Sequence, residues 1–345
     1  MSEYMTPMQR TLTAMEFREP DRVPLFLLLT MHGAKELGLS VKDYFSEPEY
    51  VAEGQVRLQK KFGGDCFFGF TYAALEAEAW GSDVIFIDNG PPNAGRPVIH
   101  EPEDIDDIAV PEISESPCLL NTLSIVEKLN KISAGDIPVI SAAVSPFSLP
   151  VMQMGFEGYL DLIYSGSPLF DKLMKKNEQF CISWANALFD AGATAVAYFD
   201  PLASPDIIDS ELFRRTGLLT AKRVISKVKG PMAVHLASGR ALPAVGYISE
   251  TGCVGIGVSA FDDLAAVKEA CYGKMTVMGN LNGVEMRRWT PETAERKVRE
   301  AISAAGAGGG FILTDNHGEI PYQVPESVLY AIGEAVRKWG QYPLD

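Results

Sequence analysis

About eight short apolar runs alternate with helix-like stretches along the chain, and this alternation constrains the fold more than any other feature. The runs are Val23–Leu29, Cys66–Phe70, Pro138–Val144, Ala195–Phe199, Pro231–Val234, Val254–Val258, Met275–Met278 and Phe311–Leu313. Most are apolar at successive positions, as strands covered on both faces are. Helices are predicted over 7–18, 48–62, 119–132 and 210–228, and from Pro168, with Ser167 as N-cap and Gly192 as the stop. Another opens at Thr290-Pro291 and closes at Gly306, and a last one starts at Pro325. βα units repeated this often favour a closed (β/α)8 TIM barrel over an open doubly wound sheet. No GxGxxG follows the first strand, and Gly255 and Gly257 fall inside a strand, so they give no dinucleotide signal. The expected organisation is a single (β/α)8 domain over 1–345, with an N-terminal helix and an excursion at about 80–118. The turn at Asn89–Asn93 suggests a hairpin there.

Polar residues collect where these strands end. Asp200, His235, Asn280, Asp315 and His317 each fall at or just past a strand's C-terminal end, and in a barrel those ends share one mouth. Two imidazoles and a carboxylate leaving one position open make a common catalytic zinc set. His235, His317 and Asp200 are therefore the expected metal ligands, with Asp315 as an alternative carboxylate and Glu76 in reserve. The plainer reading is that both histidines only hydrogen-bond inside the mouth. His317, Asp315 and Glu76 are the expected catalytic groups. Phe68, Tyr72, Tyr198, Asn280 and Arg240 are the expected substrate contacts, although aromatic residues in strands are more often core.

A net charge of −15 argues against a nucleic-acid partner or an anionic membrane surface. With 47% hydrophobic and 22% charged residues, the chain can bury a large core. The five cysteines are widely spaced and form no CxxC, which fits a reducing, cytoplasmic setting better than a disulfide framework. The first residues do not read as a signal peptide. The uncharged stretch from Pro138 to Phe156 reads as a strand, a loop and a helix start rather than a membrane span.

Several segments, in order along nearly the whole chain, resemble one family. They are Glu76–Gly81, Pro138–Phe147, Phe199–Ser204, Gly279-Asn280, His317–Pro321 and Pro325-Glu326, and they resemble the uroporphyrinogen decarboxylase superfamily. The resemblance implies a (β/α)8 barrel that is either a decarboxylase or a zinc-dependent methyltransferase working with a methylcorrinoid protein. The decarboxylases carry Arg-Gln-Ala-Gly-Arg after the first strand to grip carboxylates, whereas this chain has Leu29–Ala34 there with no arginine. The methyltransferases carry His-x-Cys after the strand near residue 234, and a later Cys, as zinc ligands. This chain matches the histidine with His235 but has Ala237 and His317 in place of the two thiolates.

Losing two thiolates would leave any zinc a harder Lewis acid, suited to activating an oxygen leaving group. The expected activity is therefore transfer of a methyl group from a small O-methyl compound, such as an aromatic ether, to the cobalt of a separate corrinoid protein. The expected cofactors are zinc and partner-borne methylcobalamin. The expected partners are the corrinoid-binding protein and the methyl donor, with a homodimer left open. One alternative is a decarboxylase-like lyase with Arg240 as carboxylate anchor. The other is a barrel that binds a ligand or the corrinoid protein without turnover.

Overall fold

The computed structural model describes residues 4–316 and 318–344. The metal-binding and catalytic roles expected of His317 thus fall outside the described residues. In chain order the strands are β1 (Leu25–Phe26), β2 (Phe67–Phe68), β3 (Val84–Ile87), β4 (Gly90–Ala94), β5 (Val139–Val144), β6 (Ala195–Phe199), β7 (Met232–His235), β8 (Gly255–Gly257), β9 (Thr276–Leu281) and β10 (Phe311–Asp315). β3 and β4 form an antiparallel hairpin within the predicted excursion. The other eight are parallel and neighbour one another in the order β1-β10-β9-β8-β7-β6-β5-β2. The Asp65 amide donates to the Leu25 carbonyl at 2.7 Å and closes the ring between β2 and β1. This is the (β/α)8 barrel that the strand–helix alternation predicts.

Two apolar layers follow from the two-residue pleat. Phe26, Cys66, Phe68 and Ile312 cluster inside the ring, with Leu28, Ile140 and Met278 against them. Leu25, Phe67, Val196, Tyr198, Val234, Val277 and Leu313 belong to the larger core between strands and helices. The helices match the sequence reading closely. Ser167 caps helix Pro168–Asp190, and Thr290 caps helix Pro291–Ala305. One prediction fails: the helix expected over 210–228 is two, Ser210–Arg215 and Gly217–Ile225. Thr216 leaves helical geometry (φ −125°, ψ −85°), and Gly217 packs so tightly that a Cβ there would lie 2.4 Å from Phe213 Cε2.

The bottom of the barrel is sealed by helix Pro7–Met15, which starts with a Thr6/Gln9 capping box. The run Gly308–Gly310 has φ between 63° and 73°, and a Cβ on Gly309 would lie 2.3 Å from the Arg18 carbonyl oxygen. Asp65 is buried there and accepts from Arg10, Arg22 and the Leu25 amide. Chemistry is left to the opposite, C-terminal end. Among the described residues, no helix is long and apolar enough to cross a membrane.

Candidate active site

A cavity of about 370 Å³ opens at the C-terminal end of the barrel. Its walls are inward-facing strand residues, Phe26, Phe68, Ile140, Ala142, Ala197, Phe199 and Met278 among them. The hairpin contributes Pro91, Pro92 and Asn93 from above. Gly318 and Glu319 complete the roof. A Cβ on Gly318 would lie 3.2 Å from Phe199 Cε2, so the chain leaving β10 reaches the end of β6, on the opposite side of the ring. Gln323 Nε2 then donates to the Asn89 carbonyl at 2.6 Å and ties this crossing to the hairpin.

Among the described residues three carboxyl groups line the cavity, Glu76, Asp315 and Glu319, beside His235, Tyr72 and smaller neutral polar groups. Glu76 is buried on the short helix Leu75–Ala79. Its Oε1 accepts the Val144 amide at 2.7 Å, and its Oε2 is buried with no hydrogen-bond partner among the described residues. Burial pushes its pKa up to about 8; the Val144 amide and the nearby Trp184 indole oppose the shift without cancelling it. Among the described residues the indole N–H itself meets no acceptor at hydrogen-bond geometry. Glu319 is likewise raised to about 8, by burial and then by the Asp315 charge, with the Met31 amide opposing. Asp315, at the end of β10, accepts the Leu28 amide at 3.3 Å.

His235 ends β7 and lines the cavity. Its ring stacks on Phe199, with centroids 5.7 Å apart and planes 25° apart. On the other side is Gly257, where a Cβ would lie only 2.4 Å from His235 Cδ2. The Ala237 amide, set by a left-handed residue (φ 52°), donates to His235 Nδ1 at 3.0 Å. A backbone amide can only donate, so Nδ1 carries a lone pair and the imidazole proton sits on Nε2.

This arrangement bears on His235 and Asp200 as expected metal ligands. With Nδ1 accepting this amide, His235 would have to give up the contact or its Nε2 proton to ligate zinc. Asp200 does not reach the cavity either. It follows inward-facing Phe199, so the pleat turns it outward, where it accepts the Ser148 hydroxyl at 2.5 Å. Burial raises its pKa to about 6, opposed by the Ser148 and Ser145 hydroxyls. No group of three or more His, Cys, Asp or Glu side chains with metal-holding geometry occurs among the described residues. The described residues by themselves thus show no zinc site, and His317, the remaining expected ligand, lies outside them.

The other expected site residues divide. Glu76, Asp315, His235, Phe68 and Tyr72 meet in the cavity, with the Tyr72 hydroxyl donating to Glu78 at 2.5 Å. Tyr198 does not: by the same parity as Asp200 it is buried behind β6 in the outer core. Arg240 is exposed and paired with Asp206, Nη2 to Oδ1 at 2.8 Å, away from the cavity lining. Asn280 lines a separate hollow with Phe261 and Trp289, and its amide donates to the Ser259 carbonyl. Sequence reasoning overlooked Glu319 and Gly257. The signal for Gly257 was present: it lies on the strand next to His235, where a missing side chain leaves room for the ring.

The family described as uroporphyrinogen decarboxylase (URO-D) matches residues 6–339. Among curated proteins, the chain is 23% identical over 305 residues to a uroporphyrinogen decarboxylase of Bordetella petrii, covering 83% of this chain and 82% of that one. It is 24% identical over 340 residues to the methylcobamide:CoM methyltransferase MtaA of Methanosarcina barkeri, covering 95% and 96%. A solved methyltransferase from Methanosarcina mazei superposes with a TM-score of 0.86 at 19% identity, covering 97% of this chain and 99% of that one, which supports the barrel fold.

Proposed function

The chain belongs to the uroporphyrinogen decarboxylase family, and from that premise we propose that it is a methyltransferase of the corrinoid-dependent kind. It takes a methyl group from a small O-methyl donor, an aromatic methyl ether, and passes it to the cobalt of a separate corrinoid-binding protein at the barrel mouth. The observation that carries this reading is the charge of the cavity: no Lys or Arg lines it among the described residues, whereas Glu76, Asp315 and Glu319 do. An anionic substrate would meet carboxyl groups with no cation to hold it, an unfavourable balance in an apolar cavity. A decarboxylase needs the opposite, an anchor for carboxylates, and Arg240 is turned away. Aromatic walls and a volume at the small end of ligand sites suit a single substituted ring. The resemblance to the methylcobamide:CoM methyltransferase supports the same reading.

Mixing the purified protein with chemically reduced cob(I)alamin, or a reduced corrinoid protein, and a panel of methoxyarenes tests this. The expected result is conversion of the cob(I)alamin spectrum to that of methylcobalamin, with one phenol formed per methyl moved. Release of carbon dioxide from an aromatic or tetrapyrrole acid, without methyl transfer, would replace this reading with a lyase.

A further inference from the structure

We propose that the solvent face of the β3–β4 hairpin, built on Ile85 and Ile87, is the docking surface for the corrinoid-binding protein. The proposal deepens the methyltransferase reading and rests on it. Along β3 the residues alternate between half-buried and exposed. Val84 and Phe86 pack inward, and the Phe86 ring stands edge-on to Tyr72 of the cavity wall, with centroids 5.7 Å apart. The outward positions of a hairpin packed on one face ordinarily carry polar side chains. Here they carry Ile85 and Ile87, 54% and 45% exposed. The Ile87 side chain lies against the backbone of Gly90, where a Cβ would come within 2.7 Å of its Cδ1, so the bare glycine makes room for it. The face is continuous with the cavity mouth: Ile85 stands opposite Asn93 in the hairpin register, and Asn93, with Pro91, lines the cavity.

Position and charge select the occupant. Cobalt has to come within bonding distance of a methyl group seated beneath the hairpin, so the protein that carries it must rest on the rim of this mouth. Two exposed isoleucines on a hairpin with no third strand are a liability for a protein that stays alone, and a partner that covers them removes it. Exposed Asp83 and Asp88 flank the isoleucines, so the complementary surface is an apolar patch edged by Lys or Arg. The same two carboxylates oppose the other candidates. An anionic membrane surface is repelled, and a twofold contact between copies of this chain brings one acidic edge against another.

The test follows methyl transfer from the best methoxyarene of the panel to two acceptors. One is free cob(I)alamin. The other is a recombinant corrinoid-binding protein loaded with it, chosen from a set as the one that the wild type methylates fastest. The double variant Ile85→Thr with Ile87→Thr keeps β-branching at both positions. It should raise KM for the corrinoid-binding protein by ~10-fold or more, while kcat and the rate with free cob(I)alamin stay as in the wild type. Ile132→Thr is the control: it is equally exposed, on the end of helix Pro117–Ser133 that leads into β5, at the opposite end of the barrel. It should change neither rate. Asp83→Asn with Asp88→Asn should raise the same KM at low salt and flatten its rise with added potassium chloride. An unchanged KM in the double isoleucine variant would overturn the proposal. So would an equal loss with free cob(I)alamin, which would make the isoleucines supports of the roof. A change from dimer to monomer in sedimentation, with KM unchanged, would assign the face to a second copy of this chain instead. A wild type that methylates free cob(I)alamin but no corrinoid-binding protein would remove the docking surface and leave methyl transfer standing, and one that methylates neither would overturn both.

Discussion

Gly257→Ala isolates the placement of His235 without touching a polar group. The new Cβ would lie 2.4 Å from His235 Cδ2, 2.9 Å from Cγ and 3.0 Å from Nε2. Ordinary contact begins near 3.4 Å, so the ring must retreat by about 1 Å, the 3.4 − 2.4 difference. It cannot slide along its own plane without breaking the Ala237 contact, and Phe199 blocks the far face. Displacement of a positioned group by about 1 Å costs roughly 100-fold in rate, and overpacking at such a site destabilises by about 1–3 kcal/mol. Gly255→Ala, two residues earlier on the same strand, is the control. Its nearest contacts would be 3.1 Å to the Thr276 carbonyl and 3.5 Å to Ala233 Cβ, so smaller shifts suffice. Methyl transfer, urea denaturation and exchange of the Ala237 amide proton should be measured together. The expectation is that Gly257→Ala exposes the Ala237 amide to exchange and slows turnover, with Gly255→Ala near wild type. Full activity and an equally protected Ala237 amide in Gly257→Ala would refute the argument that the ring needs this space.

Two further outcomes follow from the carboxyls and the roof. Glu76 titrates near 8 in the folded chain against 4.5 when unfolded, so its contribution is fully present below pH 4.5 and is lost as pH rises through about 8. At about 1.36 kcal/mol per pKa unit this is a few kcal/mol, so Glu76→Gln should gain urea stability over wild type at pH 8.5 and show no such gain at pH 4.5; parallel pH profiles would contradict it. Gln323→Ala removes the 2.6 Å tie to the hairpin, worth about 0.5–1.5 kcal/mol, and should raise amide exchange across 84–94 by up to ~10-fold; unchanged exchange would show that the hairpin is held otherwise.

The barrel was legible because each apolar run had to be a strand buried on both faces, and Gly, Pro and capping residues punctuated the helices between them. Residue direction was less legible. Asp200 and Tyr198 sit at a strand end, as a site residue should, but the inward position on β6 belongs to Phe199, and a two-residue period then turns both neighbours outward. Arg240 reads as a carboxylate anchor until Asp206, 34 positions earlier, is found beside it. His235 was identified correctly as lining the mouth, but its tautomer depends on a left-handed Ala237 that no spacing rule announces. Glu319 was hidden because its shift arises from burial under the crossing and from Asp315, both tertiary facts.

The crossing from β10 to β6 also sets a sequence of events for the proposed reaction. A corrin ring is too broad for a cavity of about 370 Å³, so it must approach from the solvent side, which Gly318 and the hairpin now cover. In the proposed reaction the methyl donor would already be seated beneath when the cobalt arrives, because a corrinoid protein docked over the C-terminal end would block entry from that side. On the proposed reaction, turnover would be ordered with the donor leading, and excess corrinoid protein would inhibit by occupying the doorway first.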